Sequence, residues 1–199
     1  FAHDAKNNND RSRAAYKLSE IDEKFKIFNS KTKNIVDLGF APGAWTQVAL
    51  ERTSKNTQAR IRGVDVIKCT PPEGSQFLQG DIRSKEVQKK ILQTFDLIDE
   101  ERRSIASNID LIISDMMANT TGNKSTDHFA SMDLCNEVVA LSDLILKESG
   151  NIVMKFFTGK EDALLQRELE QRFKKVYRFK PQASRDELRE MFLIGIRKK

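Results

Sequence analysis

The stretch Asn34-Ile-Val-Asp-Leu-Gly-Phe-Ala-Pro-Gly-Ala-Trp-Thr-Gln-Val48 decides the fold of this chain. It opens with a short apolar run, Ile35-Val36 closing on Asp37, which predicts a buried β-strand. Glycine and proline then interrupt regular structure over residues 39–43, and helical spacing of apolar residues resumes at Trp45. A strand, a glycine-rich turn and a helix in this order predict the start of a βαβ unit, whose turn faces the ligand-binding edge of an open α/β sheet.

The glycine spacing alone does not separate a ligand site from an ordinary strand-to-helix turn. Acidic residues at the ends of the next predicted strands favour the ligand site. Asp65, Asp81 and Asp115 each stand at the end of such a strand. Asp65 follows the glycine turn by about 20 residues, the position from which a carboxylate can bind ribose hydroxyls. The three residues indicate a nucleotide-like ligand, with aspartates that only start turns as the alternative.

The remainder of the chain alternates predicted strands and helices, which is typical of one α/β domain with a mainly parallel sheet. Residues 1–10 are polar and predict a flexible arm, which leaves residues 11–199 as a single domain. Residues 99–108 and 116–127 are expected to be loops. The main predicted strands cover residues 35–37, 60–66, 76–82, 110–115, 151–157, 175–179 and 191–196, and the two long predicted helices cover 128–147 and 163–173.

The composition is that of a soluble globular domain: 39% of the 199 residues are hydrophobic and 32% are charged. The net charge of +5 favours an anionic partner such as nucleic acid. No apolar run is long enough to predict a membrane span, and the first residues lack a secretory signal. The two cysteines and two histidines predict neither a disulfide framework nor a zinc site, and we expect no bound metal.

Basic residues gather near the predicted start of the first helix, where Ser12 is a candidate N-cap. Arg11, Arg13 and Lys17 would oppose the helix dipole there, so an anionic ligand is expected to compensate. A solvated basic face is the alternative. Lys155 is a further cation of interest, because it stands late in an apolar strand where burial is costly unless the site uses it. The predicted apolar stripe of the first helix is Tyr16, Leu18, Ile21 and Phe25.

Several motifs together resemble the FtsJ/RrmJ-type ribose 2′-O-methyltransferases over residues 11–197. Within that family, residues 127–128, 131–135 and 179–185 are most similar to the fungal mitochondrial large-subunit rRNA enzymes. One difference is Met117-Ala-Asn119, which stands where the family usually has Ala-Pro-Asn. The motifs are Arg11-Ser-Arg-Ala-Ala-Tyr-Lys-Leu18, Asp37-Leu-Gly-Phe-Ala-Pro-Gly-Ala-Trp-Thr-Gln47, Gln79-Gly-Asp81, Ser114-Asp-Met116 and Lys180-Pro-Gln-Ala-Ser-Arg185.

The resemblance implies a Rossmann-like methyltransferase fold with a central, mostly parallel seven-stranded sheet and helices on both faces. It also implies S-adenosylmethionine as the methyl donor. Gly43 and Trp45 match the turn that binds its methionine part, Asp65 the ribose ligand and Asp81 the adenine ligand. The complete set of implied cofactor residues is Asp37, Gly39, Ala41, Pro42, Gly43, Ala44, Trp45, Asp65, Val66, Asp81, Ile82 and Asp115.

The family's catalytic set maps by resemblance to Lys17, Asp115, Lys155 and Glu190, with Glu187 as the alternative to Glu190. Lys155 is the implied general base that removes the proton of the 2′-hydroxyl. A lysine is a base only in its neutral form, which a neighbouring cation favours and Asp115 opposes, so both protonation states stay open. A structural cluster of ion pairs is the alternative role of the four residues.

The implied activity is methylation of a ribose 2′-hydroxyl, at a uridine, in large-subunit ribosomal RNA. The expected partner is that rRNA or a ribosomal subunit particle, and the expected state is a monomer in the mitochondrion, with the cytoplasm or nucleus as alternatives. Arg11, Arg13, Lys17 and Arg185 are the expected contacts with RNA phosphates. Alternatives are a tRNA or mRNA-cap 2′-O-methyltransferase and an inactive RNA-binding assembly factor.

Overall fold

The computed structural model describes residues 2–182, 184 and 189–199, with side chains from Arg11 onward. Arg185 and Glu187 therefore lie outside the described residues. The helices are α1 (Ala2–Phe25), α2 (Ala44–Arg52), α3 (Lys85–Thr94), α4 (Lys124–Ile145) and α5 (Asp162–Arg172). The strands are β1 (Asn34–Leu38), β2 (Arg60–Asp65), β3 (Ser75–Gln79), β4 (Ile98–Asp99), β5 (Ser104–Ile105), β6 (Ile109–Ser114), β7 (Leu146–Phe157), β8 (Phe173–Phe179) and β9 (Glu190–Lys198).

A seven-stranded sheet in the order β3-β2-β1-β6-β7-β9-β8 runs through the centre of the molecule. The pairs from β3 to β7 are parallel, and β9 inserts antiparallel between β7 and β8. The predicted mostly parallel seven-stranded sheet is therefore confirmed. The order reverses between β1 and β6, and ligands of open α/β sheets bind at such a point.

Successive side chains of each strand point to opposite faces of the sheet, and helices cover both faces. One face packs against α1 and α2 through residues such as Leu18, Trp45 and Ile113. The other face packs against α3, α4 and α5 and includes Ile112 and Met154. The central strands are buried on both sides, which explains why their sequences are nearly continuous apolar runs.

Helix α1 begins nine residues before Arg11, since its described range starts at Ala2. The prediction that Ser12 caps this helix is therefore wrong, and the predicted conflict of Arg11 and Arg13 with the helix dipole disappears because they lie inside the helix. The asparagines at 7–9 have modest helix propensity but do not break a helix as proline would. The backbone of residues 2–10 is helical, and whether this part moves as a flexible arm stays a prediction.

The structure differs from two of the predicted loops. Helix α4 begins at Lys124, because the Asn123 side chain accepts the Thr126 N–H and caps it. Residues 99–108, expected to be a loop, contribute to the short antiparallel pair β4–β5. Within the described residues, no helix is both long and apolar enough to cross a bilayer.

Candidate active site

Strand alternation brings three polar residues to one face and one edge of the sheet. Asp115 directly follows β6, Lys155 lies near the end of β7, and Glu190 begins β9. Each stands two residues from an apolar neighbour that packs on the α1 side: Ile113, Val153 and Phe192. Residues two apart on a strand share a face, so all three side chains belong to the α1 side. Because β9 is antiparallel, its first residue lies where the parallel strand β7 ends.

Two ion pairs link this group to α1. Lys17 on α1 donates a hydrogen bond to Glu190 Oε1, and both residues are buried. Lys155 Nζ lies 3.1 Å from Asp115 Oδ1, within ion-pair distance. The same Asp115 oxygen makes no hydrogen bond of good geometry to any described group. The structure therefore brings together the four residues Lys17, Asp115, Lys155 and Glu190.

The two carboxylates differ in their electrostatics. Burial raises the pKa of Asp115 above its ordinary value, and the opposing effect of Lys155 does not cancel this. Burial also acts to raise the pKa of Glu190, but the hydrogen bond from Lys17 and the charges of Lys155 and Lys180 outweigh it, so this pKa is lowered. The surroundings of Glu190 thus favour its charged form. Burial disfavours the charged form of Asp115, which a nearby cation would stabilise.

A cleft of about 410 Å³ opens at the carboxyl ends of β1, β2, β3 and β6, next to the ion pairs. Gly39 contributes to its floor with φ of +79°, and a Cβ at this position would lie 2.8 Å from the Met116 nitrogen. Only glycine fits this close backbone approach. The predicted cofactor residues that line the cleft are Gly39, Ala41, Asp65, Val66, Asp81, Ile82 and Asp115.

Asp65 and Asp81 occupy two neighbouring strand ends of the cleft. Asp65 accepts backbone N–H groups of Ala41 and Ile67 at 2.8 and 2.9 Å, which fixes its carboxylate. Asp81 is held by Arg83, whose Nη2 donates to Oδ2 at 2.7 Å. These hydrogen bonds from Arg83 lower the pKa of Asp81. Both carboxylates are therefore held in fixed positions at the edge of the cleft, and their contacts with a nucleoside stay a prediction.

If Asp81 accepts the adenine amino group, as the resemblance implies, its replacement by alanine should weaken cofactor binding about tenfold, because that group would lose a charged acceptor. Isothermal calorimetry with S-adenosylhomocysteine measures the effect. Glu86→Ala, an exposed acidic residue on α3, is the matched control. An unchanged dissociation constant in Asp81→Ala would refute the assignment of this residue to adenine.

Asp37 is a buried carboxylate beneath the glycine turn, 1% exposed. Its Oδ2 accepts the Thr46 hydroxyl at 2.7 Å, whereas its Oδ1 has no hydrogen-bond partner among the described residues. Burial raises the pKa of Asp37 from 3.8 to about 7. Asp37 does not itself line the cleft, so its influence on a ligand is electrostatic or passes through the turn.

The pH dependence of stability should reveal this carboxyl group. Between pH 4 and 7 the folded chain keeps the Asp37 proton while the unfolded chain loses it, so stability should fall as pH rises. The full pKa shift of Asp37 corresponds to at most about 4 kcal/mol of the free energy of unfolding. Asp37→Asn should flatten this part of a melting-temperature profile measured without ligand. A profile for Asp37→Asn parallel to that of the wild type would contradict the raised pKa.

Four of the predicted cofactor residues besides Asp37 lie outside the cleft lining given by the described residues: Pro42, Gly43, Ala44 and Trp45. Trp45 is 3% exposed, and its Nε1 donates to the Ala14 carbonyl at 2.8 Å. It therefore ties α2 to α1 in the core. Gly43 precedes the first turn of α2 with φ of +109° and no side-chain cap, which leaves backbone N–H groups available to an anionic group. Direct contacts of these residues with the cofactor stay a prediction.

The proposed RNA contacts on α1 have different surroundings. Arg11 is exposed and Arg13 is partly exposed, whereas Lys17 is buried in the ion pair with Glu190. Tyr16 is 68% exposed, so its place in the predicted apolar stripe is wrong. The helix turns this ring towards solvent rather than towards the sheet.

Sequence reasoning missed the role of three polar residues around the site. Thr46 binds Asp37, Arg83 fixes Asp81, and His128 binds the backbone at the end of β7. Arg83 follows Asp81 by only two residues, and this short spacing could have indicated their ion pair. Thr46 lies nine residues from Asp37 and His128 lies 29 residues from Phe157, so no short spacing marks these two contacts. No cluster of three or more metal-binding side chains occurs within the described part of the chain.

Solved structures with this fold include methyltransferases. The structure of a Plasmodium falciparum protein described as a ribosomal RNA methyltransferase superposes with a TM-score of 0.80 and 30% identity, covering 94% of this chain and 98% of that one. Human methyltransferase-like protein 13, solved in complex with SAH, shares the fold at a TM-score of 0.57 and 11% identity, over 92% of this chain and 82% of that one.

Proteins related in sequence identify the family of methyltransferases to which the chain belongs. The ribosomal RNA large subunit methyltransferase E of Rickettsia akari is 39% identical over 95% of this chain and 80% of its own length. The mitochondrial rRNA methyltransferase 2 of Saccharomyces cerevisiae is 31% identical over 100% of this chain and 84% of its own length. The profile of the FtsJ-like methyltransferases matches residues 11–198. The chain belongs to the FtsJ-like methyltransferase family, as its motifs predicted.

Proposed function

We propose that this protein transfers a methyl group from S-adenosylmethionine to the 2′-hydroxyl of a uridine in mitochondrial large-subunit rRNA. The main support is the grouping of two ion pairs, Lys17–Glu190 and Lys155–Asp115, around Asp115, which lines the cofactor cleft. The names of the Rickettsia and yeast relatives support rRNA as the substrate and the mitochondrion as the compartment.

Bound S-adenosylmethionine supplies a methyl group on a sulfonium leaving group. The protein then has to orient the attacking hydroxyl and take its proton. In our proposal Lys155 accepts this proton as a neutral amine, so it must first give up its own proton, and it is chosen because its Nζ lies 3.1 Å from the cleft residue Asp115. Asp115 orients Lys155 and stabilises positive charge in the cleft. The Lys17–Glu190 pair orients the ribose, with Lys17 as donor and Glu190 as acceptor.

The substrate would be held mainly by its backbone. Arg11 and Arg13 lie on the same helix as Lys17 and offer positive charge to phosphates. Tyr16 would stack on the target base or its neighbour. Such contacts carry little sequence information, so the shape of folded rRNA or of a subunit particle would supply selectivity.

The decisive experiment compares purified wild-type protein on three substrates: mitochondrial large-subunit particles, protein-free large-subunit rRNA and total tRNA. Transfer of labelled methyl groups is measured first, and the modified nucleotide is then located by 2′-O-methyl mapping. We expect one uridine of the large-subunit rRNA to be methylated. Methylation of tRNA would instead support the anticodon-loop alternative. Binding to rRNA without methyl transfer to any substrate would support an inactive assembly factor.

A further inference from the structure

Strand β7 extends past the end of its neighbour β6 at the residues that surround Lys155. The last paired residues of these two strands are Ser114 and Met154. Strand β9 continues alongside β7, with Lys155, Phe156 and Phe157 opposite its first residues. One edge of β7 therefore loses its strand neighbour just where the proposed base is located. Backbone groups on that edge need other partners, because unpaired buried groups are costly.

Side chains of helix α4 provide those partners. Cys135 Sγ donates to the Lys155 carbonyl at 3.3 Å, and Ser131 Oγ accepts the Phe157 N–H at 2.9 Å. His128 Nδ1 donates to the Phe157 carbonyl at 2.8 Å. Residues 155 and 157 alternate with 156, so these groups share one edge of the strand. The spacings of three and four residues place the three side chains on one face of α4.

His128 extends the same arrangement into the turn after β7. Its Nε2 accepts the Glu161 N–H at 2.9 Å, so the proton is on Nδ1, the atom that faces the Phe157 carbonyl. His128 is 2% exposed, and a Cβ on Gly159 would lie 2.3 Å from its ring. Burial raises the pKa of Cys135 to about 12, so its thiol keeps the proton that it donates.

We infer that His128, Ser131 and Cys135, here called the α4 clamp, replace the missing strand and act as positioning residues for Lys155. None of the three is among the residues that line the cleft, although the neighbouring Leu134 is. They act through the backbone at residues 155–161, which sets where the Lys155 amine lies relative to Asp115. This inference rests on the proposed function only in taking Lys155 as the base.

The test uses Ser131→Ala, with Ser131→Thr as the conservative variant that keeps the hydroxyl. Ser142→Ala is the matched control, because Ser142 is a buried serine on α4 whose hydroxyl donates to Val139 on the same helix. We expect Ser131→Ala to lower kcat roughly tenfold, since small displacements of a reacting group are costly. The dissociation constant for S-adenosylhomocysteine should stay within about twofold of the wild-type value, because no residue that lines the cleft is replaced.

Ser131→Thr should recover most of kcat, and Ser142→Ala should keep it. Hydrogen exchange of the Phe157 amide should accelerate in Ser131→Ala and stay slow in Ser142→Ala. A wild-type kcat in Ser131→Ala, or an equal loss of kcat in Ser142→Ala, would contradict the proposal that the α4 clamp positions Lys155. Retained activity in Lys155→Met with a reduced kcat in Ser131→Ala would instead contradict the proposed base.

Discussion

Methyl transfer should fall by a factor of about 10³ or more when Lys155 is replaced by methionine, because the 2′-hydroxyl then has no positioned base. Methionine keeps much of the length of the lysine side chain and removes only its amine. Lys155 is 7% exposed and does not line the cofactor cleft, so the affinity for S-adenosylhomocysteine should change little. Single-turnover methylation of large-subunit rRNA and calorimetry measure the two quantities.

A matched control for this variant is Lys174→Met on β8, which changes an exposed lysine far from the cleft. It should retain full activity. If Lys155→Met keeps more than about a tenth of the wild-type rate, general-base catalysis by this residue is ruled out. Loss of cofactor binding in Lys155→Met would point instead to damage in the cleft through Asp115.

Neutralising Glu190 should impair both activity and stability. Glu190→Gln leaves the buried Lys17 without its counter-ion, and breaking one partner of a buried pair costs about 3–5 kcal/mol. The melting temperature should fall clearly, and methylation should fall by a factor of about 100 if the pair also orients the ribose. Thermal denaturation and initial rates on rRNA measure the two effects.

A double variant separates the two roles. Lys17→Met with Glu190→Leu replaces the pair by apolar side chains, which often restores stability. We expect the double variant to regain most of the lost melting temperature while staying inactive. Recovery of activity together with stability would show that the pair is only structural, the alternative considered for this cluster from the sequence.

The fold was largely predictable, because its signals are local. The glycine turn after β1 and the apolar runs of β6 and β7 mark the parallel sheet, and the acidic residues at the strand ends mark its ligand edge. Element boundaries were less predictable. The start of α4 depends on an Asn123 cap, and α1 starts at Ala2 although its first residues are polar.

Sequence patterns did not predict the contacts between residues that lie far apart in the chain. Nothing in the local sequence of Trp45 indicates that it binds the Ala14 carbonyl rather than facing the cleft. The exposure of Tyr16 depends on how α1 rotates against the sheet, which its helical spacing does not fix. The catalytic set followed from a resemblance, and its convergence on one face of the sheet is explained by strand alternation. Its roles stay predictions.

The link between Lys17 and Glu190 joins positions 173 residues apart, the first helix and the last strand. The residues that line the cofactor cleft all precede β9 in the chain, so the cleft does not itself contain Glu190. Pairing of β9 with β7 brings Glu190 to Lys17 and completes the proposed catalytic set. Local opening of β9 should therefore stop methyl transfer even while the residues of the cleft stay in place.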